Sequence, residues 1–158
     1  MADIVARQRV YLDPNVFIRA FESPEVEAAP IRRMLEALRH DPKRAVTSEL
    51  TLAEVLAPAR TGPDLLIKRR FYLDLIVWSG FIDLLPVTRS ILLETPDLRK
   101  VARHSLPDAI RVVSAIRAGC NFFMSNDKDM KANKIPHGMR ALLPDSSGVV
   151  TILDALRA

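Results

Sequence analysis

Cysteine, aromatic residues and long apolar runs are all scarce in this chain, and each scarcity excludes something. A single cysteine, Cys120, stands among 158 residues. It rules out an internal disulfide and a cysteine-rich metal centre, and it fits a reducing compartment. Its place after Gly119, at an expected helix end, suits an inert buried thiol. Phe, Trp and Tyr make up 6% of the residues, and no aromatic platform for stacking bases is apparent. No apolar run approaches the ~20 residues of a membrane span. The opening Met1-Ala2-Asp3-Ile4-Val5-Ala6-Arg7 lacks the apolar core of a secretory leader. The expectation is a cytoplasmic protein with no membrane association. Internal repeats, low-complexity segments and linkers are also missing.

What is present fits one globular domain. Hydrophobic residues account for 49% and charged residues for 27%, both ordinary values. A domain of this size buries roughly 70% of the surface of its unfolded chain, so it needs no staples. The formal net charge is +4 and the pI about 9.6. That balance permits a polyanionic partner without requiring one.

Short apolar runs alternate with longer periodic ones. Val10-Tyr11-Leu12, Ala45-Val46-Thr47, Phe81 to Leu85, Phe122-Phe123-Met124 and Val149-Val150-Thr151 read as strands. Helical patterns cover Asn15 to Phe21, Glu25 to Arg39, Glu49 to about Ala57, and Gly62-Pro63 through Trp78. Further ones run from Thr88 to about His104 and from Pro107 to Ala118, with a closing turn from Ile152 to Leu156. In Glu25 to Arg39, the residues Ile31, Met34, Leu35 and Leu38 recur at i, i+3, i+4 and i+7. Pro96 either interrupts its helix or opens a second one. The alternation predicts an α/β domain with a mainly parallel sheet of about five strands and helices on both faces. The domain is expected over 9–158, with residues 1–8 as a loose N-terminal extension.

Four acidic positions border the apolar runs. Asp13 follows the first strand, and Glu54 lies inside a helix just past the second. Asp108 sits in the first turn of its helix, where the helix dipole favours an anion. Asp127 follows the fourth strand after Ser125 and Asn126, with Asp129 as a competitor for the same place. Each has an ordinary reading as a turn residue or helix-surface charge. Jointly they can reach one edge of one sheet, outside the carboxyl ends of its strands, where open parallel sheets bind ligands. Carboxylates gathered beside a core require compensation, and Mg²⁺ or Mn²⁺ would supply it. A haloacid-dehalogenase-type phosphatase would want a second Asp at position 15, where Asn15 stands.

Leu12-Asp13-Pro14-Asn15-Val16-Phe17-Ile18, Ser48-Glu49-Leu50-Thr51-Leu52-Ala53-Glu54-Val55, Pro107-Asp108-Ala109 and Ser125-Asn126-Asp127-Lys128-Asp129 come in that order. Together they resemble the motifs of the PIN-domain nucleases, including the VapC-type toxins of toxin–antitoxin pairs. The resemblance runs from about Val10 to Leu156. It implies a PIN-like three-layer α/β/α sandwich and metal-dependent endoribonuclease activity. Asp13, Glu54, Asp108 and Asp127 would be the catalytic, metal-holding carboxylates, with Asp129 as a further ligand candidate and Mg²⁺ or Mn²⁺ as cofactor. Asn15, Ser125 and Asn126 would support the metal site or contact phosphate. Lys128, Lys131 and Lys134 flank that site and are the candidates for RNA backbone contact. The implied partners are RNA, a second copy in a homodimer and a small antitoxin. Pro14 replaces the family's usual Thr or Ser, removing a hydroxyl that can support the site. This keeps open a second reading, a weak or silent PIN-fold module that binds RNA or protein. Met130 replaces a frequent Phe, a packing change.

Two further expectations concern residues outside that set. His40, His104 and His137 are read as surface residues. The apolar stripe Leu66, Ile67, Phe71, Leu75 and Trp78 is read as core in preference to an exposed interface.

Overall fold

A computed structural model describes residues 6–57, 65–128, 130 and 135–158. The order is β1 (Val10–Leu12), α1 (Pro14–Glu22), α2 (Glu25–Arg39), β2 (Ala45–Ser48), α3 (Glu49–Val55) and α4 (Leu65–Leu73). A π-helical turn, Asp74–Trp78, extends α4. Then come β3 (Ile82–Leu85), α5 (Arg89–Val101), α6 (Leu106–Arg117) and β4 (Phe122–Met124). A 3-10 turn at Pro136–Gly138, β5 (Arg140–Leu142) and α7 (Ser146–Arg157) complete the described chain.

The five strands form one sheet in the order β3-β2-β1-β4-β5, and every pairing is parallel. Side chains alternate across a strand, and β1 shows the consequence. Val10 and Leu12 enter one core with Val16, Phe17, Ile31, Met34, Leu38, Val149 and Ile152, from α1, α2 and α7. Tyr11 enters the other with Ile91, Leu98, Ala109, Val112 and Val113, from α5 and α6. Tyr11 stacks on Phe123 of the neighbouring strand, with ring centroids 4.9 Å apart. Each fully buried Leu, Ile or Phe in these layers contributes about 1.5–3 kcal/mol. The fold is thus the three-layer α/β sandwich expected from the alternation.

Local signals set most of the boundaries. Pro14 occupies the first turn of α1, where a missing N–H costs nothing. Thr88 caps α5 by accepting from Ile91 N, and Ser105 caps α6 by accepting from Asp108 N. Pro96 stays inside α5 without dividing it. Gly119, with φ +71°, follows the end of α6, a left-handed position that a side chain would strain. The expected helix start at Gly62-Pro63 lies outside the described residues.

The C-terminal segment differs from expectation. Val149-Val150-Thr151 is not a strand; it belongs to α7, and the fifth strand is Arg140–Leu142. The β-branched triplet resembles a strand, but Asp145 caps a helix there by accepting from Gly148 N at 2.8 Å. Val149, Ile152 and Leu156 then fall on one helical face against the core. Gly148 permits this start, because a Cβ at that position would lie 1.9 Å from the Leu143 carbonyl oxygen.

Candidate active site

The strand order reverses between β1 and β4, because β1 is followed in sequence by β2 on one side and β4 pairs on the other. Such a switch point opens a crevice at the carboxyl ends of the two strands. Asp13 leaves β1 there, and Ser125 leaves β4 there. Asp13 N donates to the Met124 carbonyl at 3.1 Å, which ties the two strand ends together. Thr47 of β2 also fixes this corner: its hydroxyl donates to the Leu12 carbonyl at 2.8 Å and lies 2.7 Å from Thr51 Oγ1.

Asp13 occupies the N-cap position of α1 but makes no capping bond with its side chain. Its carboxylate turns inward and is buried. Oδ2 accepts from the Ser125 hydroxyl at 2.7 Å. Oδ1 is buried with no hydrogen bond. Ser125 Oγ in turn accepts from Asp127 N at 3.1 Å, which shapes the turn carrying Asp127.

Asp108 comes from the first turn of α6 and is mostly covered. One turn on, buried Arg111 donates from Nη1 to Asp108 Oδ1 at 2.9 Å. The same guanidinium ion-pairs with Asp13, with Nε 3.4 Å from Oδ1, and with Glu54 of α3. Glu54 is the most open of the three, its side chain 45% exposed. Asp127 is half-buried, and its charge repels both Asp108 and Asp13. Three of the expected carboxylates, Asp13, Glu54 and Asp108, thus meet around one guanidinium, and Asp127 adjoins Asp108. Asp129, Lys131 and Lys134 lie outside the described residues. Asn15, Asn126 and Lys128 are exposed at the rim, and Asn126 Oδ1 accepts from Arg19 at 3.3 Å.

Burial dominates the electrostatics of this corner. It pushes the Asp13 carboxyl up to about 6, against the opposing effects of Arg111 and the Ser125 hydroxyl; Asp108 and Asp127 add repulsion. Burial also raises Asp108, with the Ser105 contact opposing and Asp127 reinforcing. A cation placed here would relieve this cost. The donor set consists of carboxylate oxygens, which suits a hard cation, and Asp13 Oδ1 is a buried acceptor in want of a partner. Among the described residues, no three acidic, His or Cys side chains converge closely enough to ligate one ion directly. Mg²⁺ needs only one or two carboxylates because it retains several waters, and the arrangement fits that mode.

Arg111 and His104 are the site neighbours that sequence reasoning missed. Arg111 interrupts the run Ala109-Ile110-Arg111-Val112-Val113, and a charge inside an all-apolar helix stretch has to be paired. That was its signal. His104 is a correction: it is buried, not on the surface. Its Nε2 has no hydrogen bond. Burial lowers its pKa, and attraction to Asp108 and Asp127 opposes the shift. His40 is exposed as expected, and the side chain of His137 lies outside the described residues.

The fold and the acid cluster define an α/β domain with carboxylates gathered at the switch point of a parallel sheet. A PIN domain profile matches residues 10–135, and the chain belongs to the PIN domain family. Solved structures of similar fold include a toxin–antitoxin complex from Klebsiella pneumoniae, at 19% identity and TM-score 0.61, covering 85% of this chain and 97% of that one. DNA-bound VapBC from Salmonella typhimurium aligns at 19% identity and TM-score 0.62, covering 87% and 98%. VapBC2 from Rickettsia felis, bound to a promoter DNA fragment, aligns at 15% identity and TM-score 0.63, covering 86% and 98%. No curated protein sequence matches the chain.

Proposed function

We propose that this chain is a metal-dependent endoribonuclease and the toxin of a toxin–antitoxin pair, acting in the cytoplasm. One observation carries the reading: Asp13, Glu54, Asp108 and Asp127 meet at the switch point of a PIN fold. Asp13, Asp108 and Asp127, with Glu54 at the open side, would hold Mg²⁺ or Mn²⁺, mainly through water; Asp129 remains a further ligand candidate. The bound cation would supply an activated water and offset charge on the leaving oxygen of a phosphodiester.

The chain's own residues have separate tasks. The Ser125 hydroxyl holds Asp13 in place and opposes the rise in its pKa that burial causes. Exposed Lys128, Asn126 and Asn15 line the approach and would take the RNA backbone, with Lys131 and Lys134 as further contacts. A protein partner has a place to sit. Leu66, Ile67 and Trp78 are 74%, 68% and 75% exposed, and Phe71 is 41% exposed. Of the stripe expected to be core, only Leu75 is buried, because the segment enters the core through Tyr72, Leu75 and Ile76 instead. Solved structures of similar fold include toxin–antitoxin complexes, and the exposed Ile67 and Trp78 support an antitoxin or a second copy as the partner of this face.

One observation favours a second reading. Arg111 already neutralises part of the acid cluster, as expected of a silent module that binds RNA or protein without cutting. Purified protein incubated with RNA separates the two. The nuclease reading expects cleavage with Mg²⁺ or Mn²⁺, none in excess chelator, and loss in Asp13→Asn and Asp108→Asn. No cleavage by the wild type under any of these conditions supports the silent module.

A further inference from the structure

Arg111 is buried on α6 between Ile110 and Val112, and it faces Asp13, Glu54 and Asp108 at once. A guanidinium serving only to brace the helix would be hydrogen-bonded at every buried nitrogen. This one is not. Its Nη1 bonds Asp108 at 2.9 Å. Its Nε stands 3.4 Å from Asp13 Oδ1, yet neither atom has a hydrogen bond. The two face each other as an incomplete charge pair, in the corner where a hard cation would find its most buried oxygen.

We propose that Arg111 is the resident counter-cation of this site, holding the carboxylates together without metal and yielding Asp13 when a divalent cation binds. The inference rests on the metal-dependent reading above. Arg111 then sets the metal affinity: its positive charge both repels the incoming ion and occupies its acceptors, so loading is weakened and readily reversed. The fork geometry of arginine matters, because Nη1 can keep Asp108 while Nε releases Asp13. Arg111 is a positioning residue in this account, since it acts on the carboxylates and not on the substrate.

The test is Mn²⁺ binding by titration calorimetry on the full chain, comparing wild type, Arg111→Met and Asp13→Asn. Arg111→Met is expected to bind Mn²⁺ more tightly than wild type by roughly tenfold or more, the scale of a typical coupling between two ligands. Asp13→Asn is expected to lose binding. If Mn²⁺ binds wild type but Arg111→Met binds it equally or more weakly, the competition is overturned and the metal site stands. If wild type binds no Mn²⁺, the metal reading falls and this inference with it. Arg111→Met can fail to fold, so wild type supplies a second measurement. The Arg111 Nε–Hε resonance should shift on Mg²⁺ titration, and an unmoved resonance at saturation overturns the proposal.

Discussion

Ser125 and Asp13 stand 112 positions apart in the chain and share a hydrogen bond of 2.7 Å. Parallel pairing of β1 with β4 makes this possible, since Leu12 and Met124 lie in register and the next residues leave the sheet side by side. The hydroxyl is the only hydrogen-bond donor to the Asp13 carboxylate among the described residues.

Removing that donor should therefore be felt. Ser125→Ala is expected to destabilise the protein by about 1–2 kcal/mol, the cost of leaving a buried acceptor unsatisfied. It should also raise the Asp13 pKa further above about 6. Urea unfolding gives the first quantity and a carboxyl-carbon NMR titration the second. An unchanged Asp13 titration would show that the hydroxyl does not hold the charge.

The same carboxylate makes metal-free stability depend on pH. Burial raises Asp13 from 3.8 to about 6 in the folded protein. Between those values the folded state keeps a proton that the unfolded chain has lost. The stabilising contribution is full below about 4 and is lost as pH rises through about 6. Asp13→Asn is accordingly expected to be more stable than wild type at pH 7 in chelator, by roughly 1–3 kcal/mol. The difference should shrink towards pH 4. Unfolding curves of both proteins at pH 4, 5.5 and 7 check this; a variant less stable than wild type at pH 7 contradicts it.

Gly148 is expected to tolerate no side chain. A Cβ would meet the Leu143 carbonyl oxygen at 1.9 Å, and the backbone cannot yield as a flexible side chain can. Gly148→Ala should cost at least about 2 kcal/mol. A melting temperature equal to wild type would mean that the start of α7 is looser than its contacts indicate.

On α4 the expected effect is the opposite. Ile67→Asp and Trp78→Ser alter exposed side chains and should shift stability by no more than about 0.5 kcal/mol. Leu75→Ala removes a buried one and should cost about 2–5 kcal/mol. Denaturant unfolding of the three variants decides whether the stripe is a surface or part of the core.

Periodicity explains why some of this was legible in sequence and some was not. The α2 bounds could be read because Ile31, Met34, Leu35 and Leu38 repeat on one face and all are buried. The strand ends carrying Asp13 and Asp127 could be read because short apolar runs stop abruptly at polar residues, with an acid at once or within three positions. Val149-Val150-Thr151 misled, because local β preference was overridden by the Asp145 cap and by packing on the core. For α4, periodicity showed an apolar stripe but could not show whether another element covers it. Arg111 and His104 escaped notice because their importance lies in what they face, and those neighbours come from other elements. That three acids from three elements surround one guanidinium is a property of the fold alone.

The most direct test of the central claim, that these carboxylates form a divalent-metal site, is a crystal soaked in Mn²⁺ and measured for anomalous scattering. The account predicts a peak beside Asp13, within reach of Asp108 and Asp127, which disappears in Asp13→Asn. A wild-type map with no peak there, or with Mn²⁺ only at surface acids remote from Asp13, would contradict it.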